Sequence, residues 1–209
     1  MSLKQEQATI NTYDRNAATW SMIHNYDLAS NNFAGALTEF YGLVSDGSSV
    51  LEVGCGGGRD ALELVKHYEY LGTDASAGMV ESARNYVPAG EFQKCSVYDL
   101  GSLDKTFDAF WAAAILLHMP KDRIDEALQA IKSVTVSKAV GMIAIKDGDG
   151  EHFEIRQAEG MSEERLFTYW KDADFRAVLG RNAIDVISYK YIPLSQRTNW
   201  HIYLTRNRT

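Results

Sequence analysis

Between residues 12 and 28 the chain sets Tyr13, Ala17, Trp20 and Ile23 at helical spacing behind Thr12, a capping type, which predicts an amphipathic helix carrying aromatic side chains. A second helix is predicted over about 33–44, so residues 1–45 read as an N-terminal helical cap. Ser49–Val53 is a short run of β-formers that stops at a glycine cluster and reads as a strand. Leu62, Val65 and Tyr68 then form one helical face, Tyr70–Thr73 a strand, and Met79, Val80, Ala83 and Val87 a second helical face stopped by Pro88. Phe92–Ser96 and Phe107–Trp111 are further strands. Pro120 opens a helix with the apolar stripe Ile124, Ala127, Leu128 and Ile131, and Ala139–Ile145 is a fifth strand.

Residues 146–162 hold glycines and acids without periodicity and predict an exposed loop; 146–170 is a candidate lid or substrate segment. A helix near 171–179 is expected to stop at Gly180. Ile184–Tyr191 and Thr198–Leu204 are rich in β-formers, with Trp200, Ile202 and Leu204 alternating against His201 and Tyr203, and predict a closing hairpin. Strands alternating with helices imply an α/β fold, a mostly parallel sheet covered on both faces with an antiparallel C-terminal hairpin. No repeat or linker interrupts 1–209, which reads as a single domain.

Composition changes this picture only by exclusion. With 209 residues, 45% of them hydrophobic, the chain can build a full core without metals or disulfides. The 21 basic and 28 acidic residues leave a net charge of -7, which repels polyanions and argues against nucleic acid. Cys55 and Cys95 form no CxxC pair, pointing to a reducing, cytoplasmic setting. The longest apolar run, Ala109–Leu117, has nine residues against the roughly 20 that a bilayer requires, so a soluble protein is expected.

The most informative segment is VLEVGCGGGRD, residues 50–60, which runs from a buried strand through Gly54, Gly56, Gly57 and Gly58 into a helix. Missing Cβ atoms let the backbone turn sharply and approach a ligand, and the helix that follows offers free N–H groups. Asp74 lies 20 residues after Gly54 at the end of the next strand, where a carboxylate can accept from a pair of ribose hydroxyls. A dinucleotide fingerprint would place a glycine where Arg59 stands. Glu52 suits a ligand with an amino group better than a pyrophosphate. S-adenosylmethionine has both the ribose and the ammonium.

These residues resemble the class I S-adenosylmethionine-dependent methyltransferases over nearly all of the chain. The first motif appears as Glu52-Val53-Gly54-Cys55-Gly56-Gly57-Gly58, the acidic second motif as Leu71-Gly72-Thr73-Asp74-Ala75-Ser76 and the fourth-strand motif as Phe107-Asp108-Ala109-Phe110-Trp111-Ala112. The resemblance implies a Rossmann-like seven-stranded sheet and S-adenosylmethionine as cofactor, with no metal. It implies that Glu52, Gly54, Cys55, Gly56 and Arg59 surround the methionine part, Asp74 the ribose, and Ala75 and Met79 the adenine, with Ser96, Val97, Trp111 and Ala112 nearby. Ser96 stands where the family often has an adenine-binding acid, and Asp99, three residues later, is expected to face solvent. The chain is most similar to a small bacterial branch, close to tellurite-resistance methyltransferases, with a Tyr-Asp-x-x-Ala start (Tyr13, Asp14, Ala17) and a Leu-His-x-Pro segment (Leu117, His118, Pro120). Tyr13 would then lie over the cofactor.

A sulfonium already activates its methyl group, so the protein mainly has to align a nucleophile, exclude water and, where needed, take a proton. His118, after the fourth strand, is the base candidate and equally a satisfied structural histidine. His24, Tyr26, Glu151, His152 and the run Arg165–Trp170 are weaker candidates. Phe167 and Trp170 either roof a pocket or fill the core, and Arg165 pairs either with an anionic substrate or with Glu163 or Glu164. Cys55 reads as inert. The Asn/Asp-Pro-Pro-aromatic motif of base-amine enzymes is replaced by Trp111-Ala112-Ala113-Ala114, and neither cysteine follows a proline, as a cytosine-C5 enzyme would require. The expectation is a monomer or homodimer that methylates an O, N or S atom of a small molecule. A non-catalytic S-adenosylmethionine-binding protein is the alternative, and an open, polar pocket faced by Tyr13 or His118 would tell them apart. An NAD-linked oxidoreductase would need Arg59 in place of a glycine.

Overall fold

The computed structural model describes residues 2–24, 33–158, 160–195 and 198–209. Its helices are α1 (Ser2–His24), α2 (Ala34–Leu43), α3 (Ala61–Leu64), α4 (Ala77–Tyr86), α5 (Ile124–Ser133) and α6 (Asp172–Arg181). The strands are β1 (Ser49–Val53), β2 (Glu69–Asp74), β3 (Glu91–Lys94), β4 (Phe107–Ala113), β5 (Thr135–Lys146), β6 (Glu151–Ala158), β7 (Met161–Thr168), β8 (Ile184–Pro193) and β9 (Asn199–Asn207). A seven-stranded sheet runs β3-β2-β1-β4-β5-β9-β8. The first five strands of that order pair in parallel, and the C-terminal hairpin β8–β9 adds antiparallel to β5, as the alternation predicts. Strand alternation sends Leu51, Val53, Phe110, Ile143 and Ile145 to the face covered by α5 and α6. Val50, Tyr70, Trp111, Met142 and Ala144 go to the other face, with Phe40 of α2, Leu64 of α3 and Ala83 of α4. Chain order reverses direction between β1 and β4, which opens a crevice at the C-terminal ends of those strands.

Four expectations change. Residues 146–162 are not a loop: β6 and β7 form an antiparallel two-stranded sheet, with Glu151 paired to Thr168 and Ala158 to Met161. Its apolar signal is weak because Ile155 is exposed while Glu163 and Arg165 are buried, the reverse of the usual alternation. Thr12 is no cap but lies inside α1, whose buried face is Glu6, Thr9, Thr12 and Ala17. Residues 25–28 of the predicted first helix, Tyr26 among them, lie outside the described residues. The helix through Leu62, Val65 and Tyr68 shortens to Ala61–Leu64 and continues as a turn. Finally, Gly180 does not stop α6. Asn182 does, its backbone N–H and side-chain amide both donating to the Val178 carbonyl, and Ala183 follows in the left-handed region at φ 54°.

The polar buried face of α1 is explained by its partners. Thr9 Oγ1 accepts from Leu166 N and Thr12 Oγ1 from Glu164 N, so α1 is bonded to the backbone of β7. Glu6 accepts from Tyr98 Oη and from Arg123. The Tyr-Asp-x-x-Ala motif docks the same helix on α4. Asp14 Oδ1 accepts from Gly78 N at 2.8 Å and Ser76 Oγ at 3.0 Å at the positive end of α4. A Cβ on Gly78 would stand 3.0 Å from Ala17 Cβ and 2.8 Å from the Asp14 carbonyl oxygen, so the close crossing needs a glycine there. Those bonds hold the Asp14 carboxyl below its usual range, so the stability they confer is present above the unfolded carboxylate range and is lost as pH falls through the lowered value. Asp14→Ala should cost about 1 kcal/mol, the usual size of a lost cap. It should also speed amide exchange in α1 ahead of β1 and β4, which hydrogen-exchange mass spectrometry measures.

Candidate functional site

The crevice opens into a cavity of about 530 Å³, within the range of small-molecule sites. Its floor is the turn after β1. Gly54 (φ +74°), Gly56 (φ +53°) and Gly58 (φ +91°) take left-handed backbone angles that other residues rarely adopt. A Cβ on Gly54 would stand 2.6 Å from Ile115 Cβ, whereas one on Gly56 would meet nothing within 4 Å. The Gly56 backbone is thus bare toward the open space beside it. Asp74, at the end of β2, accepts from Gly56 N at 3.0 Å on one oxygen and Ser76 N at 2.9 Å on the other, which fixes the carboxylate and leaves a lone pair on each oxygen. Burial raises its pKa, and the backbone N–H bonds oppose that.

Around this floor the cavity collects Glu52, Gly54, Cys55, Gly56, Arg59, Asp74, Ala75, Met79, Ser96 and Val97, ten of the residues the resemblance singles out. Glu52 is buried and accepts from Tyr70 Oη; burial, with Asp60 beside it, pushes its carboxyl well above the usual range. An ammonium group beside Glu52 would restore its ionised form. Arg59 is held by Asp60 through two bonds, at 2.8 and 3.0 Å. Burial, Asp74 and Glu52 push the Cys55 thiol well up, consistent with an inert cysteine. Ser96 Oγ accepts from Tyr98 N, and Asp99 is exposed, as expected. Trp111 and Ala112 do not reach the cavity. Trp111 is fully buried behind the cavity, its indole N–H donating at 3.0 Å to Asp60, which does line it, and the wall here is instead Ala113, Ala114 (φ 60°) and Ile115.

The far wall is built by α1, β5 and β7. His118 Nδ1 lies 2.6 Å from the Leu166 carbonyl oxygen, which cannot donate, so Nδ1 carries the proton and Nε2 presents its lone pair. That lone pair faces Tyr13 Oη at 2.9 Å, and the tyrosine donates. Burial lowers the His118 pKa to about 3, Arg165 and Lys146 adding to the effect, so the ring is neutral at pH 7. Trp20, His24, Arg165 and Phe167 also line the wall, whereas Glu151, His152 and Trp170 do not. Lys146 was not anticipated. It ends the apolar run of β5 at the C-terminal rim of the sheet, where ligands of open α/β sheets bind, and that position is the signal that could have found it. Among the described residues no group of three or more His, Cys, Asp or Glu is placed to hold a metal, and no helix is long and apolar enough to cross a membrane.

Residues 50–138 match a family model described as a methyltransferase domain. The chain is 28% identical over 159 residues to 2-methyl-6-phytyl-1,4-hydroquinone methyltransferase of Synechocystis sp. (strain ATCC 27184 / PCC 6803 / Kazusa), covering 71% of this chain and 49% of that protein. It thus spans about half the length of this curated relative. Two solved structures share the fold: a DhpI-SAM-HEP complex (TM-score 0.78, 17% identity, 99% of each chain covered) and a Burkholderia thailandensis methyltransferase. The latter is 1,6-didemethyltoxoflavin-N1-methyltransferase with bound 1,6-didemethyltoxoflavin and S-adenosylhomocysteine (TM-score 0.74, 15% identity, 100% of this chain and 91% of that one). The glycine turn and the buttressed Asp74 lie within the segment that matches a methyltransferase domain, and the chain around it has the class I S-adenosylmethionine-dependent methyltransferase fold.

Proposed function

We propose that the protein binds S-adenosylmethionine and transfers its methyl group by in-line displacement to an O, N or S atom of a small molecule. The observation that carries this reading is that the cavity does not end at the glycine turn. It continues to a far wall on which a few polar groups, Tyr13, His118, Lys146 and Arg165, converge in a mostly apolar lining, as an acceptor site requires and a mere cofactor receptacle does not. The bound cofactor supplies a methyl group activated by its sulfonium. The chain supplies the rest. Asp74 would accept from the ribose hydroxyls, the bare Gly54–Gly58 backbone and Arg59 would border the methionine part, Met79 and Ala75 would flank the adenine, and Ser96 and Val97 would close its edge. Where the acceptor must lose a proton, the Tyr13 oxygen takes it as Tyr13 passes its own to His118 Nε2, the catalytic base. Helix α1 and the β6–β7 hairpin form the cover that excludes water. Two free cysteines, Cys55 and Cys95, support a reducing, cytoplasmic setting, and a single-domain monomer or homodimer is the simplest assembly.

The test is calorimetric titration with S-adenosylmethionine, S-adenosylhomocysteine and NAD in parallel, followed by an acceptor screen. Micromolar binding of the first two without NAD, and turnover of an acceptor, is the expected result; binding without turnover of any acceptor would favour a non-catalytic binding protein. With an acceptor that loses a proton, Tyr13→Phe and His118→Gln should each lower kcat by roughly 100-fold or more. Their S-adenosylhomocysteine affinities should stay close to that of the parent protein. A fall in cofactor affinity as large as the fall in kcat would assign both residues to binding.

A further inference from the structure

Two cations share one aromatic ring on the far wall. Lys146 Nζ lies 4.0 Å and Arg165 Cζ 4.9 Å from the centroid of Phe167, so the two charges sit close together in the same side of the cavity. The carboxylate on hand does not neutralise them. Glu163 Oε2 is shared by Arg165 Nη2 at 2.8 Å and Arg156 Nε at 3.1 Å, one acid for two guanidinium groups. Among the described residues, no carboxylate stands within ion-pair distance of Lys146. A largely buried ammonium without a counter-ion is costly, and the wall holds it beside a second cation. The opposite end of the cavity is lined by Glu52, Asp60 and Asp74.

We propose that the acceptor carries an anionic oxygen group, a carboxylate or phosphate, which Lys146 and Arg165 hold against Phe167; this rests on the reading of the cavity as a methyl-transfer site. The acids at the cofactor end repel such a group and the cations attract it, so the acceptor enters in one orientation. An anion between Lys146 and Arg165 also offsets the two charges that help to hold His118 down, and so makes its Nε2 a stronger base once the acceptor is bound. Burial, helped by Arg165 and Arg156 and opposed by Glu154, lowers the Lys146 pKa to about 8, and Tyr169, its ring centroid 6.0 Å from Nζ, and the neutral His118 are the other titratable groups near it. Anion binding should therefore weaken as pH rises through about 8 and Lys146 loses its proton.

The experiment titrates benzoate and phenyl phosphate, with benzamide and phenol as neutral counterparts, into the protein saturated with S-adenosylhomocysteine. At least one anion should bind about tenfold more tightly than its counterpart, as expected for charge-assisted contacts. Benzoate alone would identify a carboxylate, and phenyl phosphate alone a phosphate. Lys146→Met should abolish the preference while S-adenosylhomocysteine affinity stays within about twofold, because the cofactor does not use that wall. It should also fold at least as stably as the parent, since it removes an unpaired buried charge. Lys146→Arg should keep the preference and carry it above pH 8, an effect that a packing role for the side chain would not produce. Equal binding of anions and neutral counterparts would overturn the inference, as would a Lys146→Met variant that loses S-adenosylhomocysteine to the same degree. A parent protein that fails to bind S-adenosylhomocysteine at all would instead remove the methyl-transfer reading, and this inference with it.

Discussion

Gly54→Ala is expected to cost both stability and activity, because the new methyl group has no room and the backbone beneath it is in the wrong region for an L-residue. The left-handed angle at φ +74° costs about 1–2 kcal/mol for a residue with a Cβ. The added carbon would stand 2.6 Å from Cβ and 2.8 Å from Cγ1 of Ile115, atoms close to the backbone that cannot swing aside, and such overpacking typically costs about 1–3 kcal/mol more. Thermal unfolding should fall by roughly 5–15 °C for a chain of this size. The turn and the Ile115 segment can relax only by moving apart, and both line the cavity. A displacement of about 1 Å there should reduce turnover about 100-fold. Gly56→Ala separates the two effects. Its φ of +53° carries the strain, but a Cβ there meets nothing within 4 Å and projects into free space, so it should lose cofactor affinity with a smaller loss of stability. Thermal unfolding and calorimetry on the pair check this; equal unfolding temperatures for Gly54→Ala and the parent would mean that Ile115 does not confine the turn.

The legible parts of the site are those in which local chemistry and neighbouring chain carry the signal together. The glycine turn after β1 and Asp74 at the end of β2 belong to adjacent parallel strands, and Gly56 N meets Asp74 only 18 residues away, so spacing alone brings them together. The far wall depends on contacts that no local window contains. Thr9 and Thr12 bond to β7 across 157 and 152 residues, which is why α1 buries polar side chains and why Thr12 resembles a cap. In β7, Glu163 and Arg165 face inward with Met161 and Phe167, so the strand's buried face carries charge and its period is hidden. Trp111 and Ala112 lie on opposite faces of β4 and are both fully buried, and the cavity wall begins one residue further on, where the chain passes from Ala113 through Ala114 to Ile115. The Tyr-Asp-x-x-Ala motif was visible as a motif before its division of labour was. Tyr13 faces His118, Asp14 binds the start of α4, and Ala17 allows the helices to cross.

Asp74→Ala should weaken S-adenosylmethionine binding by about 1.5–3 kcal/mol, the usual worth of hydrogen bonds to a charged acceptor. That is roughly 10- to 150-fold in affinity. The carboxylate is held in place before any ligand arrives, with Gly56 N–H on one oxygen and Ser76 N–H on the other, so its removal also leaves two backbone donors at the turn without their acceptor. Asp74→Asn keeps one acceptor oxygen but replaces the other by a donor directed at a backbone N–H, and should fall between the parent and the alanine variant. The charge makes binding depend on pH in a definite sense. Burial raises the Asp74 pKa, so in the free protein the stability linked to this group is complete below the unfolded carboxylate value and is lost as pH rises through the raised one. Ribose hydroxyls donate to the ionised form and favour it. Cofactor binding should therefore release protons, tighten as pH rises through the raised value and level off above it. Glu52, raised further by burial and Asp60, responds to an ammonium group in the same direction, so the parent protein should show the contributions of both acids. Calorimetry in buffers of different ionisation enthalpy counts the protons directly. Asp74→Ala should remove one part of the release and Glu52→Gln the other, whereas an unchanged affinity and an unchanged proton count in Asp74→Ala would exclude this carboxylate from the ribose.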